Sequence, residues 1–176
     1  KDKFLGDTKY FVSSIGFFHT LDLRDSPVVP TRGLILGQTF EVATNGIGSE
    51  IELFRTTERA SYFIPIGKTL LEFGARAGLV RPLDKSTGDI TAIPIDERFF
   101  NGGSTTVRSF GERDLGPHDH RGHPLGGEFY TVFNVEYTFP LYGELQGAVF
   151  FDAGNLLPDA DNPGFDDMRY AIGAGL

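Results

Sequence analysis

The chain has 176 residues, and its 23 Gly and 17 Phe favour strands joined by turns. A net charge of −8 without a basic stripe argues against a nucleic-acid partner, and the absence of cysteine excludes disulfides and thiol chemistry. No apolar run approaches the roughly 18 residues that a membrane-spanning helix needs. The mean hydropathy of −0.14 fits a soluble protein, and it equally fits a membrane β-barrel, whose strands alternate between lipid and lumen.

Alternating apolar and polar residues predict an antiparallel meander of about seven β-strands. In the clearest strand Phe133 and Val135 point to one face, whereas Asn134 and Glu136 point to the other. The sixth strand repeats this pattern, with Asp152 on the polar side. The predicted strands are 9–23, 34–43, 51–64, 69–81, 126–139, 144–153 and 168–176, and residues 82–125 form one long loop.

Two positions are harder to interpret. Glu58 and Arg59 are adjacent in the third strand and must point to opposite faces, so one of them is expected near a membrane boundary or beside a partner. Gly154 and Asn155 follow the sixth strand and are predicted to form the turn that ends it, while Asp152 just before them stays in the wall.

The connections alternate between short and long. Short turns at 25–31, 65–68 and 140–143 belong to one end of the sheet, and longer loops at 45–49, 82–125 and 155–167 belong to the other. Aromatic residues flank the short turns, as in the interfacial girdle of an outer-membrane barrel. The alternative is a soluble sheet whose aromatics are ordinary core. Together the two regularities favour a single domain, 1–176, that forms part of a transmembrane β-barrel.

The long loop is the feature around which the chain is organised. It begins with a polar segment, 84–89, and contains the sequence Val107-Arg108-Ser109-Phe110 near its middle. A compact domain rarely keeps a loop of this length without a function. We therefore expect the loop to fold back into the barrel interior.

Five motifs in order resemble the C-terminal barrel half of the BamA-type outer-membrane assembly superfamily. The resemblance implies a sixteen-stranded barrel preceded by periplasmic POTRA domains, with the strands of this chain as the eighth to the fourteenth. The POTRA domains and the other strands are then expected outside this sequence. The motifs are GFFHTLDLRDSPVVPTRG, ERFFNGGSTTVRSF, GPHDHRGHPLGG, NVEYTFPL and VFFDAGN.

The resemblance also assigns a role to the loop. Val107-Arg108-Ser109-Phe110 matches the family's signature loop tip, with Ser109 in place of a Gly that would permit a positive φ. In the family the Arg reaches an acidic pair on the inner barrel wall, and the matching residues are Glu136 and Asp152. Strand alternation alone already places both carboxylates on the interior face. The family therefore implies a lock between Arg108 and these two residues.

Other charged clusters have simpler interpretations. The four residues His118, Asp119, His120 and His123 resemble a metal cluster by type, but a solvated polar loop is the favoured reading. Solvated side chains or local ion pairs are expected at Glu97-Arg98 and Glu112-Arg113-Asp114. The sequence has no nucleophile elbow, phosphate loop or zinc helix, so we expect no catalytic residue, metal or cofactor.

The resemblance predicts a component of the outer membrane of a Gram-negative-type bacterium or an organelle that inserts, assembles or translocates other proteins. Its expected partners are the lipid bilayer, unfolded outer-membrane protein clients, periplasmic chaperones and accessory lipoproteins. The alternative is a passive pore or anchor for a fused or partner secreted protein, of the two-partner or patatin-like autotransporter type. Sequence upstream of Lys1 discriminates between them, because POTRA repeats favour the first and a hydrolase domain the second.

Overall fold

The computed structural model describes residues 9–83 and 93–176, so the polar segment 84–89 lies outside the described residues. The strands form one antiparallel sheet in which each is hydrogen-bonded to its neighbours in sequence, and this confirms the predicted meander. Two 3-10 turns, Asn45–Ile47 and Ile95–Glu97, lie in the connections. The strands are β1 Ser14–Asp22, β2 Gly33–Ala43, β3 Leu53–Ile66, β4 Thr69–Pro82, β5 Phe129–Tyr142, β6 Leu145–Leu157 and β7 Arg169–Gly175.

The two faces of the sheet differ in chemistry. The inner face, on which the long loop folds, carries polar pairs such as Glu72 opposite Glu136 and Asn134 opposite Asp152. The outer face carries large apolar side chains that are exposed in the isolated chain, including Phe73, Phe133, Val149, Phe151 and Tyr170. Alternation along the strands thus produces one polar and one apolar surface, as a barrel wall requires. In the described part of the chain no helix is long and apolar enough to cross a membrane.

The register assigns Glu58 and Arg59 to their faces. Arg59 lies opposite Arg76, and Arg76 has the same strand parity as the inner-face residue Glu72. Both arginines therefore point to the inner face. Glu58 points outward, where its Oε1 accepts hydrogen bonds from Thr56 Oγ1 at 2.7 Å and Gln38 Nε2 at 3.4 Å. These two donors supply the partners that a carboxylate needs on an otherwise apolar face.

Apolar side chains between the long loop and the inner face form two small cores. Both cores join residues of the loop to residues of the wall, so burying them draws the loop onto the sheet. The first contains Ala43, Ile51, Leu53, Val80 and Ile93, and the second contains Val107, Leu115, Leu156 and Ala171.

Several strand boundaries differ from the prediction. The first strand begins at Ser14 and not at residue 9, because Phe11 is bonded to Glu50 through both its N–H and its C=O. The fifth strand begins at residue 129, because Gly127 exchanges two backbone hydrogen bonds with Phe99 of the loop. The hairpins are also tighter than predicted, since Gly67 adopts a positive φ of 64° and lets β3 continue to Ile66.

The predicted turn at Gly154 and Asn155 is wrong, because β6 continues through both residues. The Asn155 side chain is fully buried. Its Oδ1 accepts hydrogen bonds from Thr131 N at 3.0 Å and Thr131 Oγ1 at 2.7 Å, and its Nδ2 donates to the carbonyls of Gly164 and Asp166. The following loop thus gives a strand asparagine the partners that local sequence assigns to a turn.

Candidate functional site: two anchors of the long loop

The tip of the long loop is seated on β5 and β6. Val107 is fully buried, and a turn joins its carbonyl to the Phe110 N–H at 3.1 Å. Gly154 provides the space, since a Cβ at that position would lie 2.8 Å from Val107 Cγ2. Asn134 of the wall also donates to the Thr106 carbonyl at 2.9 Å. The loop backbone is therefore fixed next to the residue that carries its charge.

Arg108 binds both predicted carboxylates. Its Nε and Nη2 donate to the two oxygens of Asp152 at 2.9 and 2.8 Å, and its Nη1 donates to Glu136 Oε2 at 2.6 Å. A guanidinium fork that binds one carboxylate with two hydrogen bonds is the strongest geometry available to an ion pair. We call Arg108, Glu136 and Asp152 the tip anchor.

Asp152 is the buried member of the tip anchor. Its side chain is 0 % exposed and accepts four hydrogen bonds, three from Arg108, including the Arg108 backbone N–H at 3.1 Å, and one from Asn134. These hydrogen bonds to Asp152 raise the pKa of Arg108 further above its ordinary value. Removing one partner of a buried pair costs about 3–5 kcal/mol, because the other charge is then left uncompensated.

Phe150 completes the site and could not be assigned a role from the sequence. The Arg108 Cζ lies 3.4 Å from the centre of its ring, a cation–π contact. Gly173 of β7 lies behind the ring, and a Cβ there would overlap it. The available signal was an aromatic residue in phase with Glu144 and Asp152 on the polar face of β6. The tip of the loop therefore contacts β5 and β6, and Phe150 adds a contact between the tip arginine and β7.

A second ion-pair group holds the loop near its start. Arg55 of β3 donates through Nη1 to Glu41 of β2 at 3.0 Å, and through Nη2 to the Glu97 carboxylate at 2.6 Å and to its carbonyl at 2.7 Å. We call Arg55, Glu41 and Glu97 the base anchor. The expectation that Glu97 is solvated or locally paired is wrong, because its partner lies 42 residues away.

Arg98 is also not solvated. It is only 8 % exposed, its Nε donates to the Ile93 carbonyl at 2.8 Å, and its Nη1 donates to the Leu125 carbonyl at 3.1 Å. Both carbonyls belong to the long loop, so Arg98 ties the outgoing and returning parts of the loop together. Burial of the guanidinium is tolerated because backbone oxygens replace its water.

Comparison with known proteins identifies the family. The Omp85 superfamily domain matches residues 1–176. The chain belongs to the Omp85 superfamily. It is 33% identical over 132 residues to a SAM50-like protein of Schizosaccharomyces pombe, covering 73% of this chain and 26% of that protein. It is 30% identical over 159 residues to the outer membrane protein assembly factor BamA of Nitratidesulfovibrio vulgaris, covering 88% of this chain and 20% of that protein.

The fold agrees with this assignment. The crystal structure of Haemophilus ducreyi BamA lacking POTRA domains 1–3 superposes with a TM-score of 0.75 at 14% identity, covering 92% of this chain and 35% of that one. The Omp85 domain thus spans about a quarter or less of the length of the two curated relatives described above. The predicted family, the barrel-wall fold and the outer-membrane location are confirmed.

The other two tip residues of this Omp85 domain have distinct positions. Ser109 does not adopt the positive φ that the family's Gly would permit, because among the described non-glycine residues only Arg113 and Asp167 do so. Its Oγ is 3.5 Å from the Tyr170 carbonyl, a long contact. Phe110 is partly buried against the second core. Of the four predicted tip residues, Arg108 therefore makes the polar contacts, while Val107 and Phe110 supply packing.

The remaining charged clusters make local contacts. Glu112 accepts the Ser104 N–H at 3.2 Å, and the Arg113 guanidinium lies 4.6 Å from the centre of the Phe100 ring. His118 contacts Asp114 and His123 contacts Asp119, both at 3.2 Å, and Asp119 also accepts the backbone N–H groups of Arg121 and His123. Across residues 9–83 and 93–176, His, Asp and Glu form no group of three placed to hold a metal ion.

Asn101 links the loop to the wall between the two anchors. Its Nδ2 donates to the Asn155 carbonyl at 2.9 Å, and its Oδ1 accepts the Gly102 N–H at 2.8 Å. Asn101 is 1% exposed, so both bonds are shielded from water. A buried amide with its partners in place fixes the path of the chain as well as its stability.

Proposed function

We propose that this Omp85 domain is the barrel part of a protein that inserts other β-barrel proteins into the outer membrane, without catalysing a chemical reaction. Relatives that share its family are named as an outer membrane protein assembly factor and as a sorting and assembly machinery component. Those names favour assembly over a passive pore or anchor. The observation that carries the proposal is the Arg108 fork on Asp152, in the loop that the resemblance marks as functional.

The tip anchor acts as a lock that keeps the barrel wall in its competent state. Ordering the long loop costs about 1–2 kcal/mol of backbone entropy per residue, so strong contacts must hold it on the inner face. Arg108 supplies them at the junction of β5 and β6. Its partner Glu136 is 32 % exposed, so solvent weakens that contact and leaves Asp152 as the dominant one.

The proposed partners follow from the same proposal. Unfolded outer-membrane proteins are the clients, the bilayer is the medium, and periplasmic chaperones and accessory lipoproteins deliver and assist. The work consists of templating the addition of strands at a barrel edge and thinning the nearby bilayer, both implied by the resemblance to the BamA-type family. None of these steps needs a nucleophile or a metal.

The test is Arg108→Ala in the full-length protein. We expect fewer correctly folded outer-membrane proteins, measured by the heat-sensitive migration of folded barrels in electrophoresis, because the lock is lost. Arg113→Ala is the matched control, since Arg113 lies in the same loop, stacks on Phe100 and forms no ion pair within residues 9–83 and 93–176. Unchanged assembly together with unchanged heat stability of the Arg108→Ala barrel would contradict the proposal.

A further inference from the structure

The loop between β6 and β7 lies against the outer face of the wall. Asn155 has the same strand parity as Phe151, so its side chain points outward. Its Nδ2 donates to the Gly164 carbonyl at 2.9 Å and to the Asp166 carbonyl at 2.8 Å. We call residues 158–168 the outer strap, and these two hydrogen bonds fasten its segment 164–166 to the side of the sheet that faces away from the long loop.

Phe165 sits between the two fastened carbonyls. Its ring centre is 5.9 Å from that of Phe133 on the outer face of β5, at an interplanar angle of 48°. The contact covers only part of the ring, and 68% of Phe165 remains exposed in the isolated chain. An aromatic side chain held this far out by a fixed backbone needs an apolar surrounding to bury it.

The surface around Phe165 identifies that surrounding as lipid. Phe133, Phe151, Tyr170 and Ile172 are exposed on the same outer face, with exposed fractions from 38% to 85%. This apolar surface belongs to the barrel wall and continues directly under the Phe165 ring. The established interface of an outer-membrane barrel on that side is the bilayer.

The wall beneath the outer strap gives an independent reason for its position. Thr131 and Asn155 lie opposite each other on the outer face and are 5% and 0% exposed. Polar groups on a lipid-facing surface cost several kcal/mol, in general terms, unless they have partners. The strap carbonyls satisfy Asn155, and the strap separates both side chains from the surroundings.

We propose that the outer strap is a membrane-interface anchor, in which Phe165 inserts into the outer edge of the lipid layer beside the barrel wall. The charges of neighbouring aspartates limit how deeply the outer strap enters the lipid layer. Asp166 and Asp167 follow Phe165 in sequence and are exposed, so the strap backbone stays at the level of water and headgroups while the ring points into the apolar region.

Tryptophan fluorescence tests this placement, because the 176 residues contain no Trp. Phe165→Trp, Phe151→Trp and Asn162→Trp are made singly in the full-length protein, with any Trp outside these residues replaced by Phe. Each variant is reconstituted in phosphatidylcholine vesicles that carry bromine either near the headgroups or near the chain ends. Asn162 is the matched control, since it is exposed in the same strap and makes no hydrogen bond with the wall among the residues that the structure describes.

We expect Phe165→Trp to be quenched most by bromine near the headgroups, and Phe151→Trp to respond more strongly to bromine near the chain ends. Asn162→Trp should have the emission maximum of a tryptophan in water, and neither brominated lipid should quench it. A nitroxide on Phe165→Cys gives a second readout, with collisions favouring oxygen over a polar nickel chelate. Phe165→Trp emission and quenching equal to those of Asn162→Trp would overturn the proposal, as would a nitroxide that collides preferentially with the chelate.

Discussion

The tip anchor and the base anchor use the same chemistry with the charges reversed. At the tip, a loop arginine reaches two wall carboxylates, Asp152 and Glu136. At the base, a wall arginine, Arg55, reaches the loop carboxylate Glu97. The long loop is therefore fastened to β5 and β6 at one position and to β2 and β3 at the other, so it braces the inner face across β4.

The anchors differ in the burial of one member, Asp152, since Arg108 and Glu136 are 26 % and 32 % exposed. The Asp152 side chain is 0 % exposed, whereas Arg55, Glu41 and Glu97 are each between 20 % and 25 % exposed. Loss of Arg108 leaves the Asp152 charge without water, whereas loss of a partner at the base leaves charges that solvent can reach. Two ion-pair groups with similar distances are thus expected to respond differently to mutation.

The largest effect is expected at the tip. Arg108→Ala should lower the free energy of unfolding by about 3–5 kcal/mol, because Asp152 keeps its charge and loses its main partner. Arg108→Lys should be intermediate, since it keeps the charge and loses the two-bonded fork. Urea unfolding of the full-length barrel in vesicles measures both changes. A loss at Arg108→Ala no larger than that of Arg55→Ala would break the distinction drawn from burial.

The next effect is a pH dependence that arises at Glu128, just before β5. Burial raises the pKa of the Glu128 carboxyl from an ordinary value of 4.5 to about 7. The hydrogen bond from the Ala160 N–H and the nearby charge of Arg98 lower this pKa, but burial has the larger effect. A carboxyl with a raised folded-state pKa contributes stability below pH 4.5 and loses it as the pH rises through 7. The total change is at most about 3 kcal/mol.

Glu128→Gln should remove this dependence, while Arg108→Ala should retain it, since the tip anchor is a separate site. Unfolding free energies measured from pH 4 to pH 8, on the order of one measurement per pH unit, give the slope. Glu112→Gln is the control, because Glu112 is an exposed glutamate in the same loop. A slope that survives in Glu128→Gln would assign the effect to another group.

A side chain that displaces the loop tip should lower the free energy of unfolding by an intermediate amount, without changing any charge. Gly154→Ala brings a Cβ to 2.8 Å from Val107 Cγ2 and 2.9 Å from the Thr131 carbonyl. Overpacking of this kind costs about 1–3 kcal/mol. Gly74→Ala is the control inside the sheet, since its Cβ would lie 3.5 Å from Asn134 Cβ, an ordinary van der Waals distance. Equal thermal midpoints for the two variants would show that the tip tolerates displacement.

The smallest effect is expected at the base anchor. Arg55→Ala should cost about 1–2 kcal/mol, because its charged hydrogen bonds are partly screened by solvent. A double-mutant cycle with Glu97→Ala isolates the pair, and a parallel cycle with Glu112→Ala serves as reference. We expect a favourable coupling energy between Arg55 and Glu97 and none between Arg55 and Glu112. Absence of coupling between Arg55 and Glu97 would reduce the base anchor to a surface contact.

Sequence reasoning was most successful where a local repeat carried the information. Alternation in β5 and β6 places Glu136 and Asp152 on one face regardless of the rest of the fold, since the side-chain period of a strand is two. Boundaries were less accurate, because the starts of β1 and β5 depend on hydrogen bonds that Phe11 makes with Glu50 and that Gly127 makes with Phe99. Those partners are distant in sequence, and no local pattern reports them.

The sequence by itself determined the meander, the polarity of the two faces and the side of the wall on which the carboxylates that meet Arg108 lie. Only the tertiary structure decided that Glu97 pairs with Arg55, and that Asn155 belongs to a strand. The alternation of side chains between the two faces is a property of the strand backbone, so it can be read from neighbouring residues. The partners of Glu97 and Asn155 depend on how two loops fold over the sheet, and that path is set by contacts between distant segments.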